Sequence, residues 1–109
     1  MIFAEILDLL STEDEIMARW LFNSGGRGVA FVVGNNVFHK NSKFLGRLDG
    51  NEVWNGSYVA EIISDDRIAV KTMAPLGLKG LPGLPGLPGL PGLPSLRGPI
   101  LLPIGYRDL

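Results

Sequence analysis

The chain has no cysteine and a single histidine, His39. The first absence removes disulfides and thiolate metal ligands together, and it suits a reducing compartment. The second, with most acids in turn-like stretches, leaves no Ser-His-Asp set, no carboxylate pair in an apolar setting and no nucleophile beside a base. Residues 1–18 lack basic side chains, while Glu5, Asp8, Glu13, Asp14 and Glu15 all fall there. A secretory leader opens on positive charge, so none is expected. No apolar run is long enough to span a bilayer, which makes the cytoplasm the default location. Formal net charge is −1, and the basic residues are scattered rather than clustered, which speaks against a nucleic-acid partner. Proline is missing until Pro75 and then occurs eight times by Pro103.

That uneven proline marks a boundary near Thr72. Within the proline-bearing part, Gly80–Pro94 is Gly-Leu-Pro five times without a break. Proline holds φ near −65° and pushes the residue before it to extended backbone. Polyproline II follows, with about 3 residues per turn and about 3.1 Å rise. A period of three then lines the leucines on one edge and the glycines on another. Strict Gly-X-Y is also what a collagen triple helix needs, since only glycine fits its axis. The candidate interface residues are therefore Gly80, Leu81, Gly83, Leu84, Gly86, Leu87, Gly89, Leu90, Gly92 and Leu93. A plain low-complexity linker is the competing reading, but a spacer has no need of glycine in register or a leucine in every triplet.

Before the boundary the pattern changes twice. Ile2, Phe3, Ile6, Leu7, Leu9 and Leu10 fall at helical spacing, and Thr12-x-x-Glu15 reads as a capping box. Helix is expected over 2–10, with a second short stretch over 13–18. Its acidic polar face argues against a membrane anchor. From Trp20 the period becomes that of strands. Leu21-Phe22-Asn23 precedes Val29-Ala30-Phe31-Val32, Val37-Phe38-His39 precedes Leu45-Gly46-Arg47-Leu48, and Val53-Trp54-Asn55 precedes Val59-Ala60-Glu61-Ile62. Gly34-Asn35-Asn36, Asp49-Gly50-Asn51-Glu52 and Ser64-Asp65-Asp66 separate them as turns. Each unit of about 16 residues reads as one hairpin. Ile68-Ala69-Val70 starts a fourth, whose second strand is sought at Ile104-Gly105-Tyr106-Arg107.

Alternation assigns faces. Gly28-Ala30-Val32, Phe44-Gly46-Leu48 and Tyr58-Ala60-Ile62 are expected on the core side, with Phe31, Arg47 and Glu61 exposed. A small residue recurs at the middle of each core set, at Ala30, Gly46 and Ala60, as where copies converge near a symmetry axis. Phe22, Phe38 and Trp54 occupy equivalent positions and are expected to pack between units.

The spaced units Leu21–Asn35, Val37–Asn51 and Val53–Asp66, above all the run from Phe44 to Trp54, resemble the bacterial four-fold β-flower domain family. The likeness covers about residues 20–71 and implies four short hairpins around a pseudo-fourfold centre. It brings no established activity and no catalytic residue.

The resulting expectation is a mainly β chain in four parts. They are a helical segment at 1–18, a hairpin-repeat domain at 19–72, a collagen-like polyproline II segment at 73–103 and a closing strand at 104–109. His39 stands where the other units carry Asn23 and Asn55, so a turn-flanking role accounts for it. The acids of Asp49–Glu52 and Asp65–Asp66 lack the spacing of a calcium loop. Gly25-Gly26-Arg27-Gly28 is followed by strand, not by the helix a phosphate loop requires. No cofactor and no catalysis are expected. The function expected is structural self-assembly through the Gly-X-Y segment, a trimer if collagen-like. The alternative is a single-chain interaction module whose polyproline II segment packs on its own head or on a partner.

Overall fold

The computed structural model describes residues 18–86 and 91–109. Eight strands follow in order: β1 (Arg19–Phe22), β2 (Gly28–Val33), β3 (Asn36–His39), β4 (Phe44–Asp49), β5 (Glu52–Asn55), β6 (Ser57–Ser64), β7 (Arg67–Lys71) and β8 (Tyr106–Arg107). There is no helix among the described residues. The helical stretches expected over 2–10 and 13–18 lie outside them, Ala18 excepted.

From β1 to β7 each strand pairs antiparallel with the next. Short turns allow it: Val33 pairs with Asn36 across Gly34–Asn35, and Asp49 with Glu52 across Gly50–Asn51. Gly34 at φ +62° and Gly50 at φ +65° supply the left-handed backbone that such tight hairpins use. In a meander of seven strands the first and last run in the same direction, so closure demands a parallel pair. β1 and β7 make it at Phe22 and Arg67, and the Phe22 N–H donates to the Asp66 carbonyl at 2.7 Å. The sheet is thus a closed seven-stranded barrel without a long free edge.

Three of the four register shifts share one pattern and decide which side chains go inside. Leu21 opposes Ala30 while Phe22 opposes Gly28; Val37 opposes Gly46 while Phe38 opposes Phe44; Val53 opposes Ala60 while Trp54 opposes Tyr58. In each pair of strands one extra residue, Val29, Leu45 or Val59, bulges from the second strand. A bulge advances one strand by a residue and moves everything beyond it to the other face. Gly28, Phe44 and Tyr58 therefore leave the face of Ala30, Gly46 and Ala60, against the alternation read from sequence, although Tyr58 stays buried in the same core cluster as Ala60, as expected. Arg47 is exposed as expected, but Phe31 and Glu61 are buried.

One face is the main core. Leu21, Val37 and Val53 are wholly buried opposite the small residues Ala30, Gly46 and Ala60, with Val32, Ile68 and Val70 beside them. Each such side chain contributes about 1.5–3 kcal/mol on leaving water. The space opposite Val37 is tight: a Cβ on Gly46 would stand 2.6 Å from the Trp54 carbonyl oxygen. The other face carries an aromatic ladder formed by cross-strand partners. Trp20 meets Phe31 edge-on with ring centres 5.5 Å apart, Phe31 stacks on Phe38 at 5.5 Å, and Phe38 meets Phe44 at 5.7 Å.

After β7 the chain leaves the barrel at Thr72 and returns at β8. Arg107 pairs with Val70 and Tyr106 with Lys71. The β1 contact on β7 is at Arg67, so β1 and β8 lie against opposite ends of that strand. Ile104 is fully exposed and lies with Gly105 in the turn before β8, so pairing begins only at Tyr106. Thr72–Gly105 is a strap between two paired strands.

Candidate interaction site

The strap is tied to the barrel at two tryptophans, the only two in the chain. Where it sets out, the Lys79 N–H donates to the Gly56 carbonyl at 2.7 Å, and the Lys79 ammonium sits 4.6 Å from the centre of the Trp54 ring. The same ammonium pairs with Asp49. Leu81 and Pro82 follow beside Arg47, Leu48 and Trp54. Where it comes back, the Trp20 indole N–H donates to the Gly92 carbonyl at 2.8 Å, and Pro94 lies against Gly28 and Trp20.

The next residues cross the turn between β1 and β2. The Arg97 N–H donates to the Gly26 carbonyl at 2.9 Å, its guanidinium lies over Phe22, and its Nε pairs with Asp66 at 2.9 Å. Gly26 must be glycine here, because a Cβ would fall 1.8 Å from the Arg97 carbonyl oxygen and φ is +86°. Arg67, buried at the β1–β7 seam, donates from Nη1 to the Asn23 carbonyl and from Nη2 to the Gly98 carbonyl. Ile100 N–H reaches the Ser24 carbonyl at 2.8 Å, and Asp108 accepts from both the N–H and the hydroxyl of Ser24. The strap thus stitches across the seam.

The far anchor is a buried carboxylate. Glu61 is 5% exposed. Its Oε1 accepts from the Tyr58 hydroxyl and its Oε2 from the Tyr106 hydroxyl, each at 2.9 Å, while Lys71 Nζ stands 3.4 Å from Oε1. The Tyr58 oxygen in turn accepts from the Lys71 N–H at 3.1 Å. Burial, with the bond to Glu61 adding to it, pushes the Tyr58 hydroxyl up to about 12. The bond to Glu61 is the chief cause that raises Tyr106 and Lys71. The arrangement fixes β8 to β6 and β7.

The described triplets take up a three-residue rhythm on the barrel. Pro82, Pro85, Pro91 and Pro94 are half-buried, while Gly83, Leu84, Gly86, Gly92 and Leu93 are exposed. Leu81, Leu84 and Leu93 are 78%, 85% and 100% exposed. A Cβ placed on Gly80, Gly83, Gly86 or Gly92 would meet nothing within 4 Å. Leu87, Gly89 and Leu90 lie outside the described residues. The expected interface residues that are described therefore line one outward strip, with proline as the inward edge. His39 ends β3 just before the β3–β4 turn, and its Nδ1 accepts from the Asn41 N–H at 3.3 Å. Among the described residues no group of three or more His, Asp and Glu could hold a metal ion, and no helix is long and apolar enough to cross a membrane.

Sequence reasoning missed the anchoring residues Trp20, Trp54, Lys79, Arg97 and Glu61. The turn acids Asp49 and Asp66 have partners on the strap, in Lys79 and Arg97, and Asp66 also stands 3.6 Å from Arg67 of β7. The available signal was the pair of tryptophans, since extended proline segments are gripped by aromatic surfaces. Comparison of the chain with protein-family models, with curated proteins and with solved structures finds no match in any of the three.

Proposed function

We propose that this chain is a non-enzymatic, self-associating structural protein. In this reading a small barrel holds a polyproline II strap by both ends, and the outward strip of the strap is the assembly surface. The observation that carries it is the division of labour within each triplet. Proline is spent on the barrel, while Leu81, Leu84 and Leu93 stay 78–100% exposed. Exposed leucines scattered singly need no explanation, but a contiguous apolar strip marks an interaction surface. Met73, Leu76, Leu78, Leu96 and Leu101 are exposed on the same strap and extend the apolar surface.

A second reading is a collagen-like trimer, favoured by the open space at Gly80, Gly83, Gly86 and Gly92. It requires three chains to approach along the glycine edge, with the prolines released from the barrel. The three bulges at Val29, Leu45 and Val59 support the further reading of β1–β2, β3–β4 and β5–β6 as copies of one unit. They lend the same support to the resemblance to the four-fold β-flower family.

Light scattering over a concentration series tests the assembly reading. The full chain should rise above its monomer mass of 11.8 kDa, and the triple variant Leu81→Ser, Leu84→Ser, Leu93→Ser should not. A wild-type chain that stays monomeric at high concentration sinks the proposal. A cooperative polyproline-type melt in circular dichroism, coupled to a trimer mass, would select the collagen-like form.

A further inference from the structure

Around Trp20 the barrel meets its own strap in a particular chemistry. The indole N–H donates to a backbone carbonyl, that of Gly92. A proline ring, Pro94, fills the space over Gly28, where a side chain on the barrel would collide with it at 2.7 Å. Trp20 is itself braced edge-on against Phe31, so the indole is presented at a fixed angle. Two clefts of about 450 and 360 Å³ flank the ring on its two sides, lined by Phe22, Asp66 and Arg97 on one and by Gly28, Lys40 and Pro91 on the other. Leu93, between the two contact points, borders both clefts but is fully exposed.

These are the requirements of a receptor for extended proline-containing chain. An aromatic surface takes the proline ring and a donor on that surface takes a main-chain carbonyl, both of which a preformed polyproline II segment offers at no ordering cost. Every Gly-Leu-Pro triplet offers the same pair of groups. The specific anchors lie outside the repeat, at Lys79 on one side and Arg97 on the other.

We propose that the Trp20 cleft is a recognition site for extended Gly-X-Pro chain, filled in cis by Gly92–Pro94, and that the same segment of a second copy fills it in trans. Exchange is geometrically open. Lys79 is held at Trp54 and Gly92 at Trp20, and the run between them reaches about 40 Å when extended at about 3.1 Å per residue. Every contact that residues 92–108 make with one barrel can be made with an identical neighbour, so exchange adds oligomers without a new interface. This deepens the self-association reading by naming a route, and it does not depend on the leucine strip.

Synthetic (Gly-Leu-Pro)5 and (Gly-Leu-Ala)5 peptides, titrated into the full chain with the Trp20 indole N–H followed by NMR, test the site. In the wild type the cis segment competes at an effective concentration on the order of mM. Arg97→Ala weakens that competitor, so the proline peptide should bind this variant at a concentration at least tenfold lower. Lys79→Ala, which loosens the other end and leaves the seam intact, should shift binding in the same direction. Trp20→Phe keeps the ring and removes the donor, and should lose the response, read at the neighbouring Gly28 amide. No movement of the indole in either loosened variant at mM peptide overturns the site, as does an equal response to the alanine peptide. Native mass spectrometry of two isotopically distinct full-length preparations then tests the trans occupant. Mixed species that disappear in Trp20→Phe but persist in a Leu81→Ser, Leu84→Ser variant, which leaves Gly92–Pro94 unchanged, support exchange. Mixed species that persist in Trp20→Phe and vanish in the leucine variant overturn exchange and leave the leucine strip standing.

Discussion

Replacing Tyr106 by phenylalanine removes one hydroxyl from the place where the returning chain meets the barrel. That hydroxyl donates at 2.9 Å to Oε2 of Glu61, a carboxylate that is nearly inaccessible to water. A hydrogen bond to a charged group contributes about 1.5–3 kcal/mol. Two features place this one at the low end: Tyr106 is only half-buried, and Lys71 and Tyr58 continue to satisfy the carboxylate from Oε1. The expected cost is about 1.5 kcal/mol, or about a tenfold rise in the opening constant of the β8 contact. Amide hydrogen exchange reads it locally. Thr72, whose N–H donates to the Gly105 carbonyl at 2.8 Å, should exchange about tenfold faster, while the amides of β2 and β3 keep their protection. Tyr58→Phe is the matched control, because it removes a donor to Glu61 and also the acceptor of the Lys71 N–H. Its cost should be larger, about 2–4 kcal/mol, and should appear across the barrel. Unchanged Thr72 protection in Tyr106→Phe would refute the reasoning. So would an equal loss at Thr72 and Ala30, since the arm would then not open as a separate unit.

Gly26→Ala drives a Cβ into the Arg97 carbonyl, so the strap must lift from the β1–β2 turn; trypsin should cut at Arg97 at least several-fold faster, with strand circular dichroism retained. Alkaline pH should loosen the same arm. Tyr58, Tyr106 and Lys71 all have their folded values raised, so their stabilisation is complete below the ordinary tyrosine and lysine values and drains away above them. Chemical denaturation between pH 9 and pH 12 should show stability falling from about pH 10, and the Tyr58→Phe variant should flatten that fall. A stability that rises over the interval would contradict the sign.

The first seven strands are legible from spacing and turn chemistry, because Gly34–Asn35, Gly50–Asn51 and Asp65–Asp66 punctuate the chain at places where strands reverse; the closure of those strands into a barrel at Phe22 and Arg67 is not. What alternation could not reveal were the bulges. Val29, Leu45 and Val59 are apolar like their neighbours, so nothing in the pattern distinguishes an extra residue from a regular one, and the faces beyond each bulge were assigned the wrong way. Phe31 and Glu61 alternate with Ala30 and Ala60 as the spacing predicts, yet both are buried. Phe31 is buried in a ladder built by pairing across β1, β2 and β3, and Glu61 is satisfied by a tyrosine 45 residues further on. Long-range partners leave no local mark. The triplet period separates a leucine edge from a glycine edge without reference to the rest of the chain, but it does not say which edge meets the barrel; the described prolines are the half-buried positions. The two tryptophan docks were not legible, since they exist only once the strap has come back. The return itself was looked for from Ile104 onward, where a three-residue likeness pointed, and it pairs only from Tyr106.

The parallel seam has a consequence for the order in which the molecule forms. Hairpins β1–β2, β3–β4 and β5–β6 join residues close together in sequence and need little loop closure, whereas Phe22 and Arg67 must find each other across most of the barrel. One residue pair is a poor reward for that search. The residues that reinforce it, Arg97, Gly98, Ile100 and Asp108, all follow the barrel strands in the chain. An open seven-strand ribbon is thus the natural species just before completion, with β1 and β7 both able to pair elsewhere. The last stretch of the described chain acts on time as much as on stability: it ends the interval during which that ribbon is exposed.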